Sequence, residues 1–340
     1  MNNPFSMRCL LFFSMAALLP SCRIMGPGTE IPGPESKTYS NPVVAASLPD
    51  PTIVRAGDGT FYLYATEDTR NVPVYKSRNL VDWLFAGTAF TDSTRPAFEP
   101  GGGIWAPDVN VINDRYVMYY SMSVWGGEWT CGIGVATAGK PEGPFTDHGK
   151  LFRSNKIGVQ NSIDPFYIED QGRKYLFWGS FRGIYCAELN DDGLSLKTGK
   201  VLQQIAGTAF EGTYIFKKDG YYYFFASVGS CCQGVESTYQ LVVGRSRSLL
   251  GPYVDKSGRS MLDNGYEVVI AKNERFVGNG HNSEIVTDDA NNHWVLYHGV
   301  DVASSKGRVL LLDEISWDKH GWPEVNNGCG PSWNAEAPGF

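Results

Sequence analysis

Three carboxylates stand at the same position of a repeated phrase. Asp50 opens Asp50-Pro51-Thr52-Ile53-Val54, Asp164 opens Asp164-Pro165-Phe166-Tyr167-Ile168, and Glu211 opens Glu211-Gly212-Thr213-Tyr214-Ile215. Each phrase turns through Gly and Asp and returns as an aromatic-rich run, such as Phe61-Tyr62-Leu63-Tyr64-Ala65 or Lys174-Tyr175-Leu176-Phe177-Trp178. Two further copies keep the frame, with Asp108 and Asn282 in the opening position. Carboxyl groups brought together can divide the work of general acid and general base. A neighbouring negative charge helps one of them to keep its proton. A single Asp-Pro is ordinary turn chemistry, but burying three acids together is costly unless function or a cation requires it. Asp108, between Pro107 and apolar neighbours, reads as the structural copy.

The elements that position these groups follow from the repeat. A strand–turn–strand unit recurring about every 50 residues marks a solenoid or propeller, since one small sheet cannot bury its own faces. A second strand pair follows each phrase, for example Val74-Tyr75-Lys76-Ser77 after the first and Leu241-Val242-Val243-Gly244 after the fourth. The expectation is an all-β fold, a five-bladed β-propeller with four antiparallel strands per blade. It spans residues 37–325, with 326–340 as a C-terminal tail. First strands line the axis of such a fold, so their openings converge at one end, and the loops leaving the second strands return there. That face collects Trp105, Trp125, Trp129, Phe181, Asn161, Ser162 and His281. Aromatic rings around a carboxylate cluster suit a sugar chain, which stacks its apolar ring faces and presents a glycosidic oxygen to the acids. His281, just before the fifth opening, is a candidate metal or water-bridged ligand.

Bulk properties narrow the partner. The 340-residue chain is 42% hydrophobic and 13% aromatic, ample for a large core, and carries a net charge of −7. With no basic cluster, nucleic acid is excluded as a partner, because its binding rests on phosphate neutralisation. A neutral ligand fits better. Residues 1–22 read as a secretory signal: Arg8, an apolar run from Leu10 to Leu19 too short to span a bilayer, then Leu19-Pro20-Ser21-Cys22. That ending has the shape of a bacterial lipobox, with Cys22 as the lipid-bearing mature N-terminus and residues 23–36 as a Pro- and Gly-rich tether. The place implied is the bacterial cell envelope, as a periplasmic or outer-membrane lipoprotein, with a cleaved, secreted form as the alternative. Cys131, Cys186, Cys231, Cys232 and Cys329 are odd in number and lack zinc spacing, so they read as packed or free thiols. Cys231 and Cys232 are not expected to bridge to each other.

The ordered motifs Asp50-Pro51-Thr52-Ile53, Trp105-Ala106-Pro107-Asp108, Asn161-Ser162-Ile163-Asp164-Pro165, Glu211-Gly212-Thr213 and Gly280-His281-Asn282-Ser283 resemble those of glycoside hydrolase family 43. Ser230-Cys231-Cys232, Ser237-Thr238-Tyr239 and Val243-Gly244-Arg245-Ser246 are similar to its arabinanase branch. The resemblance implies an inverting glycosidase acting on α-1,5-linked L-arabinan or arabino-oligosaccharides. In that family's pattern Asp50 is the general base, Glu211 the general acid, and Asp164 the group that tunes and orients the acid. Trp105, Ala106, Asn161 and Ser162 shape the reacting subsite, while Trp125 and Trp129 are platforms for longer chains. His281 sits near a hydrated divalent cation, calcium-like, in the central channel. Leu48-Pro49 departs from the branch, where many members carry a His before the first Asp, so endo and exo action both stay open. The alternatives are an exo-acting α-L-arabinofuranosidase or β-xylosidase on the same scaffold, and a non-catalytic carbohydrate-binding propeller.

Overall fold

Runs of Tyr, Phe, Val and Ile, cut at Gly- and Asp-containing turns, favour short antiparallel strands, and strands dominate the fold. The computed structural model describes residues 37–199, 202–304 and 306–340. The signal and tether expected over residues 1–36 lie outside the described residues. Three sheets are four-stranded and antiparallel. The first holds Thr52–Arg55, Phe61–Tyr64, Pro73–Ser77 and Leu84–Thr88. The second holds Gly103–Ile112, Arg115–Ser123, Gly132–Ala138 and Thr146–Arg153. The third holds Phe166–Asp170, Arg173–Trp178, Ile184–Glu188 and Gln203–Ala206.

Ten further strands pair into one sheet, and two more form a separate antiparallel pair. One part of the large sheet contains Glu211–Lys218, Tyr221–Val228, Gln240–Ser246 and Glu267–Ile270. The other is built on Phe276–Gly280, His293–Asp301 and Arg308–Trp317. The parallel pair Gln240 and Asn279 joins their ladders. Arg308–Trp317 runs unbroken, and its outer neighbour is Val44–Ser47 from the start of the described chain. The segment after residue 325 is tied down as well. Asn334–Glu336 pairs with Thr38–Ser40, and Phe340 packs edge-on against Phe61 at 4.9 Å.

The faces between sheets are filled with large side chains, among them Tyr64, Tyr120, Trp178, Tyr223 and Tyr297, all fully buried. At one end of the sheets lies a closed sequence of polar contacts. The Thr66 hydroxyl accepts the Ala106 amide, Ser121 accepts that of Asp164, and Ser227 accepts that of His281. Ser180 donates to the Glu211 carboxylate, and His298 Nδ1 accepts the Asp50 amide, returning to the first opening. Each acceptor or donor lies in the closing part of a second strand or just beyond it and reaches the next opening along the chain.

The openings share a backbone state. Asp50, Ala106, Asp164, Gly212 and His281 have φ of 53°, 40°, 57°, 63° and 48°, a region that L-residues with side chains rarely adopt. This corrects the register of three copies: Ala106, Gly212 and His281, rather than Asp108, Glu211 and Asn282, hold the position equivalent to Asp50. In the second copy Asp108 pairs with Tyr119 as Thr52 pairs with Tyr64. A bulge between Trp105 and Asp108 supplies the offset. Asp108 is buried away from the cleft, accepting the Tyr167 amide at 2.7 Å and the Asn110 side chain at 2.9 Å.

Candidate active site

The left-handed turns at Asp50 and Asp164 aim both carboxylates into a cleft of about 620 Å³, and Glu211 opens its strand from the third side. The three are 8%, 6% and 8% exposed. Such burial is enough to shift protonation strongly, yet each still borders the cleft. Trp105, Trp125, Glu128, Asn161, Phe181, Cys231, Cys232, His281 and Arg308 line it with them.

Asp50 and Glu211 are pushed in opposite directions. Burial alone would raise the Asp50 pKa, but the Arg308 guanidinium and the His281 imidazole outweigh it and hold the carboxyl well below its ordinary range. Arg308 Nη1 and His281 Nδ1 each lie 3.2 Å from Oδ1, and the Thr66 hydroxyl donates to Oδ2 at 2.6 Å. Glu211 is raised, chiefly by burial, with Asp50 adding negative charge. Ser180, donating at 2.6 Å, and His281 pull the other way. Asp164 is raised to about 8 by burial, with Glu211 and Asp50 adding to it against His281. Burial depresses His298 to about 4. For His281 burial acts downward too, but the Asp50 carboxylate prevails and lifts it to about 9. One acid in the cleft is thus pushed towards its ionised form and two towards their protonated forms, the division that acid–base chemistry across one bond requires.

Trp105, Trp125 and Asn161 border the cleft as expected. Trp125, 81% exposed, meets Trp105 edge-on at 6.4 Å. Asn161 is fixed by bonds from its side-chain amide to the Ser180 carbonyl and hydroxyl, both 3.0 Å. Three expected contacts stand elsewhere. Ser162 is wholly buried and donates its hydroxyl to the Val159 carbonyl at 2.8 Å, so it braces the Asn161 turn from behind. Ala106 is 2% exposed and contributes its backbone turn. Trp129 is half exposed but outside the cleft lining.

Sequence reasoning missed Arg308, His298, Thr66 and Ser180. A signal existed for three of them. The second strands end in Tyr64-Ala65-Thr66, Tyr120-Ser121, Gly179-Ser180, Ala226-Ser227 and Tyr297-His298, a polar residue each time. The disulfide joining Cys231 and Cys232 is a correction. Successive side chains diverge in a strand, but this pair sits in the bend between Tyr221–Val228 and Gln240–Ser246, where both thiols reach one another.

Among the described residues no group of three or more His, Cys, Asp and Glu side chains is arranged to hold a metal ion. His281 turns Nδ1 to Asp50, so a cation could use only its other nitrogen. Thr213 Oγ1 and Asn282 Oδ1, in the fourth and fifth openings, are buried oxygens without a partner among the described residues. Oxygen atoms of this kind suit a hard cation held mainly through water.

Residues 39–323 match the family described as glycosyl hydrolases family 43. The chain is 34% identical over 305 residues to the extracellular exo-alpha-(1->5)-L-arabinofuranosidase ArbA of Cellvibrio japonicus, covering 82% of this chain and 86% of that one. It is also 34% identical over 289 residues to the extracellular endo-alpha-(1->5)-L-arabinanase 1 of Bacillus subtilis, covering 81% and 87%. The solved structure of Cellvibrio cellulosa alpha-L-arabinanase complexed with arabinohexaose superposes with a TM-score of 0.75 at 33% identity, over 83% of this chain and 96% of that one. On the span matched and the identity to these relatives, the chain belongs to glycosyl hydrolases family 43.

Proposed function

We propose that the protein hydrolyses α-1,5-linked L-arabinan or arabino-oligosaccharides by single displacement, with Asp50 as general base and Glu211 as general acid. The observation that carries the reading is two carboxyls lining one cleft in surroundings that push their pKa values in opposite directions. Ionised Asp50 takes a proton from water as the water attacks the anomeric carbon. Glu211 gives its proton to the leaving glycosidic oxygen, so the anomeric configuration inverts. Asp164, which shares the cleft and an electrostatic link with Glu211, is the group proposed to tune and orient the acid. Trp105, Trp125 and Asn161 hold the sugar, Trp125 as a stacking platform, in a cleft whose aromatic walls suit a neutral ligand.

The finer architecture belongs to the same proposal. Five blades around one axis are supported by the closed sequence of second-strand contacts from Thr66 round to His298. A calcium-like cation in the channel is supported by the unpartnered oxygens of Thr213 and Asn282, with His281 beside them and water completing its shell. Bound there, it would supply fixed positive charge near the acids. The extracellular names of the relatives support export, and Cys22 is the proposed lipid-bearing residue at the bacterial envelope.

A second reading, exo-acting release of single arabinose units, draws on the Cellvibrio relative, which is as similar as the endo-acting one from Bacillus. Incubation with linear arabinan, debranched arabinan, xylan and aryl glycosides, with the products sized by chromatography, tests both. Arabino-oligosaccharides of mixed length indicate endo action, and arabinose alone indicates exo action. Xylose alone, or no product, overturns the proposal.

A further inference from the structure

Cys231 and Cys232 stand between two clefts. One is the cleft of the three acids. The other, about 720 Å³, is lined by Gly234, Val235, Val300, Val302 and Ala303 on its far side. Asp68, Cys231, Cys232 and Arg308 line both, so the disulfide is part of the wall they share. Arg308 also lies 3.2 Å from Asp50, which puts the second cleft one side chain away from the candidate reacting centre.

The chemistry of that wall changes when the thiols join. A disulfide has no S–H donor and presents polarizable sulfur with its methylenes, an apolar surface. Beyond it, Val235 and Val302 are 51% and 46% exposed, while Asp68 and Arg308 supply polar groups at the shared edge. Apolar surface with a few polar groups at its border matches a neutral sugar, which offers C–H faces and ring hydroxyls. The charges of Asp68 and Arg308 are opposite in sign, so nothing selects for a strongly charged ligand.

We propose that the second cleft is a further part of the substrate groove, and that the Cys231–Cys232 disulfide is the saddle over which a neutral pentose chain passes from one cleft to the other. This rests on the oligosaccharide reading above. Its occupant is the continuation of the chain being cleaved, because the two clefts adjoin across Asp68, Cys231, Cys232 and Arg308. The saddle therefore acts as a chain-length determinant. A substrate too short to cross it loses nothing when the saddle is altered.

The test is kcat/KM on the arabino-oligosaccharide series from disaccharide to hexasaccharide. It is run on the full chain with and without a dithiol reductant, on a Cys231→Ser/Cys232→Ser double variant, and on Val302→Arg. Reduction converts the disulfide to two thiols as the reagent closes to its own disulfide. Cys131, Cys186 and Cys329 are free, so the double variant should not respond to reductant. The preference for hexasaccharide over disaccharide should fall about tenfold, ~1.4 kcal/mol, in the reduced protein and in the double variant. Val302→Arg obstructs the second cleft without touching the cysteines and should narrow the preference likewise, which keeps the test open if the double variant does not fold. An unchanged length profile in all of these overturns the saddle. A wild type that cleaves only xylan overturns the arabinan reading instead, and the xylo-oligosaccharide series then decides the saddle by the same ratio.

Discussion

Arg308 Nη1 lies 3.2 Å from Oδ1 of Asp50, joining the strand Arg308–Trp317 to the opening of the first sheet. It is the largest influence opposing the effect of burial on that carboxyl. Asp50 must be ionised to accept a proton, so its depressed pKa sets the acidic side of the activity profile. Arg308→Gln should raise that pKa and move the acidic limb of kcat/KM to higher pH, read from initial rates across the acid range. A limb that stays in place would show that Arg308 does not govern the ionisation.

Asp50→Asn and Glu211→Gln should each lower kcat on arabinan by about 10²–10⁴-fold, the usual worth of a positioned proton transfer. The two should separate on an aryl arabinoside with a good leaving group. Glu211→Gln recovers much of its rate there because the departing phenolate needs no proton, while Asp50→Asn does not. NMR of the first-formed product should show inversion at the anomeric carbon. Retention would require a covalent intermediate and a different role for Asp50.

Asp164 offers a prediction in stability. Its folded pKa is about 8 against an ordinary 3.8. Between those values the unfolded chain has lost the proton and the folded one keeps it, so the folded state loses stability as pH rises through this window. Asp164→Asn has no proton to lose. Its melting temperature relative to wild type should therefore climb from about pH 4 to about pH 8 and then level, while activity falls. A difference independent of pH would mean that burial does not hold the proton on Asp164.

Asp50 and Asp164 were legible because a repeat converts sequence position into spatial position and equal offsets in equal units meet at one end of the sheets, whereas Glu211 stands one residue before the equivalent Gly212 and still lines the cleft. The same rule failed at Asp108, where the bulge after Trp105 adds residues without changing the look of the phrase. Arg308 was not legible from its type, and His298 was legible only as a polar residue in the recurring second-strand position. Their role depends on the closure that brings the last sheet's strands against the first opening, a contact across more than 240 residues of sequence. Ser162 shows the opposite limit. Its neighbour Asn161 turns to the cleft through a φ of 55°, and Ser162 is thereby turned inward. A disulfide between consecutive cysteines depends on the path of one bend, which residue types do not specify.

His281 connects the site to the proposed cation. Anything that binds only the folded state stabilises it by mass action. Wild type in strong chelator should lose melting temperature, and His281→Ala should lose less on chelation. Equal responses in the two proteins would leave His281 as a partner of Asp50 alone.

Trp125 and Trp129 were expected to act alike, and their placement separates them. Trp125 lines the cleft, 81% exposed and set edge-on to Trp105 at 6.4 Å. Trp129 is outside the cleft lining, and its backbone carbonyl accepts the Asn155 amide at 3.2 Å. An exposed indole beside the reacting subsite holds chains long enough to reach it. Trp125→Ala should therefore raise KM on arabinan about fivefold, ~1 kcal/mol, the level at which a contact side chain counts as an anchor. Its effect on a disaccharide should be smaller. Trp129→Ala should shift KM by less than about twofold on either substrate, the range of a surface change away from a contact. Initial rates on arabinan, arabinohexaose and arabinobiose measure both. Equal losses from the two substitutions would extend the groove past Trp129, and no loss from Trp125→Ala would remove the platform from the proposal.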